Sequence, residues 1–114
     1  MKLDQLRKFC RSLPHATEDV KWGQDLCFSV GGKMFCVTGL EPKEGISFSF
    51  KCTPEKFAEL TELEGIIPAP YVARYHWVLV EDPTALPEKE LKDLIKNSYQ
   101  MVFDRLPKKI RSSL

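Results

Sequence analysis

A chain of 114 residues with 17 basic and 16 acidic side chains has room for one domain and exerts no global electrostatic pull on a polyanion. Its 43% hydrophobic and 29% charged residues are those of an ordinary globular fold, which excludes a disordered or collagen-like polymer. No apolar run approaches the ~20 residues that cross a bilayer, and "MKLDQLRKFC" holds no apolar leader. The expectation is a cytoplasmic chain whose four cysteines, Cys10, Cys27, Cys36 and Cys52, are reduced thiols.

Residues 3–13, "LDQLRKFCRSL", place Leu3, Leu6, Phe9, Cys10 and Leu13 on one helical stripe. Pro14 stops that helix, and a short strand is expected at Val20–Trp22. In "LCFSVGGKMFCV" the pair Gly31-Gly32 sits between two runs of β-formers and predicts a two-residue hairpin turn. Counting outward from that turn, Val30 faces Lys33, Ser29 faces Met34, Phe28 faces Phe35 and Cys27 faces Cys36. Alternation then puts Leu26, Phe28, Val30, Phe35 and Val37 on a core face. Cys27, Ser29, Met34, Cys36 and Thr38 fall on a small, semi-polar face.

"ISFSFK", residues 46–51, continues the pattern, with Ile46, Phe48 and Phe50 inward and Ser47, Ser49 and Lys51 outward. Thr53-Pro54 predicts an N-cap and first turn; Phe57, Leu60 and Leu63 follow at helical spacing, and Gly65 ends the helix. "IIPAP" is expected to be extended and irregular. "RYHWVLVE" predicts the next strand, with Tyr75, Trp77 and Leu79 on one face and Arg74, His76, Val78 and Val80 on the other. Both faces are partly apolar, so alternation leaves Trp77 either under the helices or on the open face. Pro87 opens a last helix reaching about Leu106, with Leu91, Leu94, Ile95, Ser98, Val102 and Leu106 as its buried stripe. Arg105, Lys108, Lys109 and Arg111 make the C-terminus basic.

These elements predict an α+β domain over residues 1–114, one antiparallel sheet with helices packed on one face. The other face, carrying Cys27, Ser29, Cys36, Thr38 and Ser49, is expected to be wet and open to a flat partner. The cysteines lack the spacing of a zinc site, and no phosphate loop or nucleophile elbow is present. A Cys–His nucleophile pair, such as Cys52 with His76, needs an activating environment. The expectation is a non-enzymatic protein without a cofactor.

The candidate site is "YVARYHW". Aromatic rings stack on exposed bases while Arg and Lys hold phosphates. Tyr71, Arg74, Tyr75, His76 and Trp77 carry that chemistry within seven residues. Lys33 at the hairpin tip, Lys51 at a strand end, and Lys108, Lys109 and Arg111 extend it. The bland alternative is rim packing of strand aromatics.

In order along the chain, "LRKFCRSLPHATED", "WGQDLCFSVGGKMFCV", "SFKCTPEKFAEL", "IIPAPYVARYHWVLVE" and "LIKNSYQMVFDRLPKK" resemble the MmcQ/YjbR family of small bacterial proteins. The resemblance implies a sheet related to the frataxin (CyaY-like) architecture and the function usually given to that family, DNA binding. The matching positions are Lys33 and Phe35 in the hairpin, Lys51 before the Thr53-Pro54 cap, and His76-Trp77 at the strand entry. Arg74 stands where relatives often carry a basic residue, whereas Tyr75 replaces one. Iron handling, suggested by the frataxin likeness, needs ridges of oxygen ligands. Here Lys56 and Lys89 dilute the acids of 55–64 and 81–90. The expected partner is therefore DNA, with a protein partner on the open face as the alternative and a monomer or weak homodimer as the assembly.

Overall fold

The computed structural model describes residues 1–40 and 45–114. Its elements are α1 (Leu3–Ser12), β1 (Thr17–Lys21), β2 (Asp25–Val30), β3 (Lys33–Gly39), β4 (Phe48–Lys51), α2 (Pro54–Leu60), β5 (Ile66–Pro68), β6 (Trp77–Val80), α3 (Glu88–Asp104) and α4 (Lys108–Ser112). Six strands form one antiparallel sheet in the order β1-β2-β3-β4-β6-β5. The helices pack on one side of it, as the patterning predicts. Among the described residues no helix is long and apolar enough to cross a membrane.

The core lies between α1, α3 and the sheet. Leu6 and Cys10 of α1 and Leu91, Ile95 and Ser98 of α3 are wholly buried against Phe28, Phe35, Phe48 and Phe50. The α3 stripe is the expected one, joined by Tyr99, whose ring meets Phe35 edge-on at 5.4 Å. The Tyr99 hydroxyl donates to the Pro14 carbonyl at 2.6 Å, tying α3 to the end of α1. Thr53 caps α2 through its Oγ1, which accepts from the Lys56 N–H at 3.1 Å. Both sheet edges are blunted: β1 is short and charged, with Arg7 forking onto Glu18 at 2.8 Å, and β5 is three residues ending in Pro68.

The hairpin turn forms as expected, with φ +58° at Gly31 and +82° at Gly32, the left-handed pair that a tight two-residue turn requires. Gly31 is needed for space as well. A Cβ there would stand 2.5 Å from Leu106 Cδ1, because the hairpin tip rests on the α3–α4 corner.

The register departs from expectation one step further on. Val30 pairs with Lys33 and Ser29 with Met34, but Phe28 pairs with Cys36 and Cys27 with Val37. Phe35 is thus an extra residue on β3, a β-bulge. Its carbonyl accepts from Ser98 Oγ at 2.7 Å, and Ser98 Oγ in turn accepts from the Lys51 N–H at 2.9 Å. The bulge carries every following β3 side chain to the opposite face. Cys36 and Thr38 face the core opposite Phe50 and Phe48, and Val37 faces outward opposite Ser49. That corrects the expected faces of Cys36, Thr38 and Val37.

Three further expectations are adjusted. The first strand is Thr17–Lys21 and leaves Trp22 in the following turn. "ARY" is a single 3-10 turn, Ala73–Tyr75, closed by His76 in the left-handed region at φ +64°, so β6 starts only at Trp77. The residues after Pro107 form α4 rather than a tail.

Candidate binding site on the open sheet face

The face turned away from the helices carries Cys27, Ser29, Val37, Ser49, Lys51, Trp77, Leu79 and Ile67, as the strand registers dictate. It is drier than a solvated sheet face. Cys27 is fully buried between its cross-strand neighbours Asp19 and Val37, and Ser29 is nearly so. Burial pushes the Cys27 thiol above its ordinary pKa. The expectation of a wet, semi-polar platform is therefore corrected: the bulge removed Cys36 and Thr38 from this face and supplied Val37 to it.

Trp77 stands on this open side. It pairs with Lys51 across β4–β6 and is half-buried. It lies at the junction of two concavities. The first is an apolar groove of about 530 Å3 lined by Trp22, Asp25, Met34, Val37, Ser49, Tyr71 and Trp77, among others. Strands β3 and β4 form its floor. The β1–β2 turn supplies Trp22, and the segment after β5 supplies Ala69, Pro70, Tyr71 and Val72.

Two of its aromatic walls are held in unusual backbone. Trp22 has φ +54° and Tyr71 φ +69°, a region that bulky L-residues rarely occupy and that costs on the order of 1–3 kcal/mol. Both rings are nonetheless solvent-facing, Trp22 at 70% and Tyr71 at 98% exposure. Neither packing gain nor hydrogen bonding explains why large aromatic residues stand there.

The second concavity is a notch of about 260 Å3 lined by Lys33, Met34, Lys51, Trp77, Val102, Arg105, Leu106 and Pro107. Three cations meet in it, and among the described residues no carboxylate lines it. None of the three forms a salt bridge among the described residues. Partial burial, with the nearby Arg105 guanidinium adding to it, holds the Lys51 ammonium below the ordinary lysine pKa. Two like charges kept close without a counter-ion form an anion-binding arrangement. Lys108 follows Pro107 directly in sequence and opens α4, which also carries Lys109 and Arg111.

Of the residues singled out from sequence, Lys33, Lys51 and Trp77 come together, whereas Lys108, Lys109 and Arg111 of α4 line neither concavity. Arg74, Tyr75 and His76 line neither concavity. Arg74 lies over the Tyr75 ring at 4.8 Å to its centroid. His76 packs edge-on against Phe57 of α2 at 5.6 Å, and its carbonyl accepts from the Cys52 N–H at 2.9 Å. Cys52 Sγ also reaches that carbonyl, at 3.3 Å, not the imidazole. Burial pushes its pKa to about 11, the opposite of an activated nucleophile. Among the described residues no three His, Cys, Asp or Glu side chains converge as a metal site would need.

Arg105, Trp22 and Asp25 are site residues that sequence reasoning did not select. Its position along the chain groups Arg105 only with the basic terminus. Trp22 had a usable signal, since a tryptophan directly before Gly23 in a turn has no strand or helix to pack into.

The YjbR family model matches residues 11–101. The chain belongs to the YjbR family. Protein DR2400 from Deinococcus radiodurans, which carries the family-model domain DUF419, superposes with a TM-score of 0.87 at 28% identity, over 98% of this chain and 86% of that one. A Pseudomonas syringae protein superposes with a TM-score of 0.73 at 22% identity, over 90% of this chain and 99% of its own length, and attests the fold alone. No curated protein matched this chain. The YjbR match spans the hairpin, the groove and Trp77 but ends before Arg105, so the notch is completed by residues outside it.

Proposed function

We propose that this YjbR protein is a DNA-binding module that holds the phosphate backbone on Lys33, Lys51 and Arg105 and stacks an unpaired base on Trp77. The observation that carries this reading is the notch itself: three cations without a lining carboxylate, sharing Met34 and Trp77 with a surface able to take a flat ring. Phosphate contacts position a strand, and stacking on one aromatic ring is sequence-tolerant. A half-buried Trp77 on a sheet face is accessible to a splayed base and not to a stacked duplex, so single strands are the preferred form. The chain acts as a binder; the raised Cys52 thiol supports that reading over a catalytic one.

The test is fluorescence anisotropy of a labelled oligo(dT) at increasing salt. Three phosphate contacts give a log–log slope of about −2 on single-stranded DNA, and Lys51→Gln or Arg105→Gln each flattens it by about 0.7. Arg74→Gln leaves the slope unchanged, since Arg74 lies outside the notch. Because the Lys51 pKa is lowered, its charge is lost at a lower pH than for a free lysine. Affinity therefore declines at a lower pH than the titration of a free lysine would give, and Lys51→Arg removes that shift. Absence of any anisotropy change at micromolar protein and low salt overturns the proposal.

A further inference from the structure

The apolar groove differs in charge from the notch beside it. Among the described residues, Asp25 is the one ionisable acid or base of the ordinary pH range at its lining, and no cation lines it. Asp25 is half-buried and forms no salt bridge or side-chain hydrogen bond among the described residues. Lys21, its direct cross-strand partner, makes no salt bridge to it. A polyanion threaded through this groove meets a carboxylate rather than a counter-charge.

The aromatic walls point the same way. Trp22, Tyr71 and Trp77 border one concavity, yet among the described residues none of them is paired ring to ring with another. They stand around a space instead of filling it. Two of the three are held at positive φ with their rings largely exposed, the signature of conformations kept for binding rather than for packing. Aromatic faces present negative potential and attract cations, above all alkylated ammonium groups, whose charge is spread over methyl groups and weakly hydrated. A volume of about 530 Å3 is that of a small-molecule site.

We infer that the groove between the β1–β2 turn and the segment after β5 is a binding site for a small organic ammonium ion. The cationic head sits between Trp22, Tyr71 and Asp25, and the apolar body lies on Met34 and Val37. The charge complementarity of Asp25 and the open aromatic walls commit the site to a cation. This inference is independent of the nucleic-acid reading, which places its charges in the notch.

The chain has two tryptophans, and both line the groove. Their two indole N–H signals in a 1H–15N spectrum therefore report on it directly. Choline serves as the probe and 3,3-dimethylbutan-1-ol as its neutral shape-match. Choline is expected to shift both signals saturably within about 10 mM, with the neutral alcohol and the Asp25→Asn protein each roughly five- to tenfold weaker. Tyr71→Ala, a change at an almost fully exposed side chain, weakens choline binding without touching the core. Lack of a saturable shift, equal affinity for the alcohol, or unchanged binding by Asp25→Asn overturns the inference. Failure of oligo(dT) binding in the same protein leaves these outcomes as they are.

Discussion

The two faces of the sheet are built from the same strands yet obey opposite rules. On the helix side the large side chains of the central strands are buried in an ordinary backbone: Phe28, Phe35, Phe48 and Phe50 are shut off from water, and the wholly buried hydroxyl of Ser98 has both a donor and an acceptor as partners. On the other side, large aromatic residues stand exposed in left-handed backbone, and cations gather without counter-ions. Free energy is minimised locally on the first face. On the second it is held above its minimum by Trp22, Tyr71 and the Lys51–Arg105 pair. Conformations of that kind persist only where the surrounding structure enforces them, here from a rigid core immediately behind.

The contrast breaks most visibly under truncation. Phe50→Ala empties a fully buried position and is expected to lower unfolding free energy by about 3–5 kcal/mol in urea titrations. A loss no larger than that of an exposed residue would mean that the helix side is not the stabilising face.

Ser98→Ala tests the seam between the faces. It leaves the Phe35 carbonyl and the Lys51 N–H unpartnered at the bulge, with an expected cost of about 1–3 kcal/mol. Because Lys51 is part of the notch, the same variant is also expected to weaken oligo(dT) binding in folded protein. Ser98→Thr, which keeps the hydroxyl, sharpens the distinction between loss of the bond and loss of space.

The smallest effect has the opposite sign. Tyr71→Gly relieves a positive φ at a side chain with almost no contacts, against the greater freedom of glycine in the unfolded chain. Stability is expected to be unchanged or to rise by up to about 1 kcal/mol, while choline binding falls. A clear loss of stability would show that Tyr71 serves packing and would merge the two faces into one rule.

Much of this was legible in the chain. "ISFSFK" sorts its faces unambiguously because serine and phenylalanine alternate, and Phe48 and Phe50 are buried as expected. Thr53-Pro54 announces its helix because the cap and the first turn are both local chemistry. "FCVT" hides its bulge because all four side chains tolerate burial, so alternation cannot register one extra residue. "RYHWVLVE" predicts a strand from Arg74 onward. Its arginine and tyrosine belong instead to a 3-10 turn, since bulky residues at positive φ carry no compositional warning.

By itself the sequence determined what depends on neighbours along the chain: the glycine hairpin, the helix caps, the stripes of α1 and α3, and an α+β sheet covered on one side. Tertiary structure decided what depends on residues distant in sequence. The bulge at Phe35 is held by Ser98 from α3 and turns Val37 outward. The placement of Trp77 follows from its pairing with Lys51 rather than from its own strand's ambiguous pattern. Arg105 joins Lys33 and Lys51 only because the hairpin tip, through Gly31, seats on the α3–α4 corner. Period-two and period-3.6 patterns report which side of an element meets apolar surroundings; they carry no information on which elements meet, and both concavities are made where elements meet.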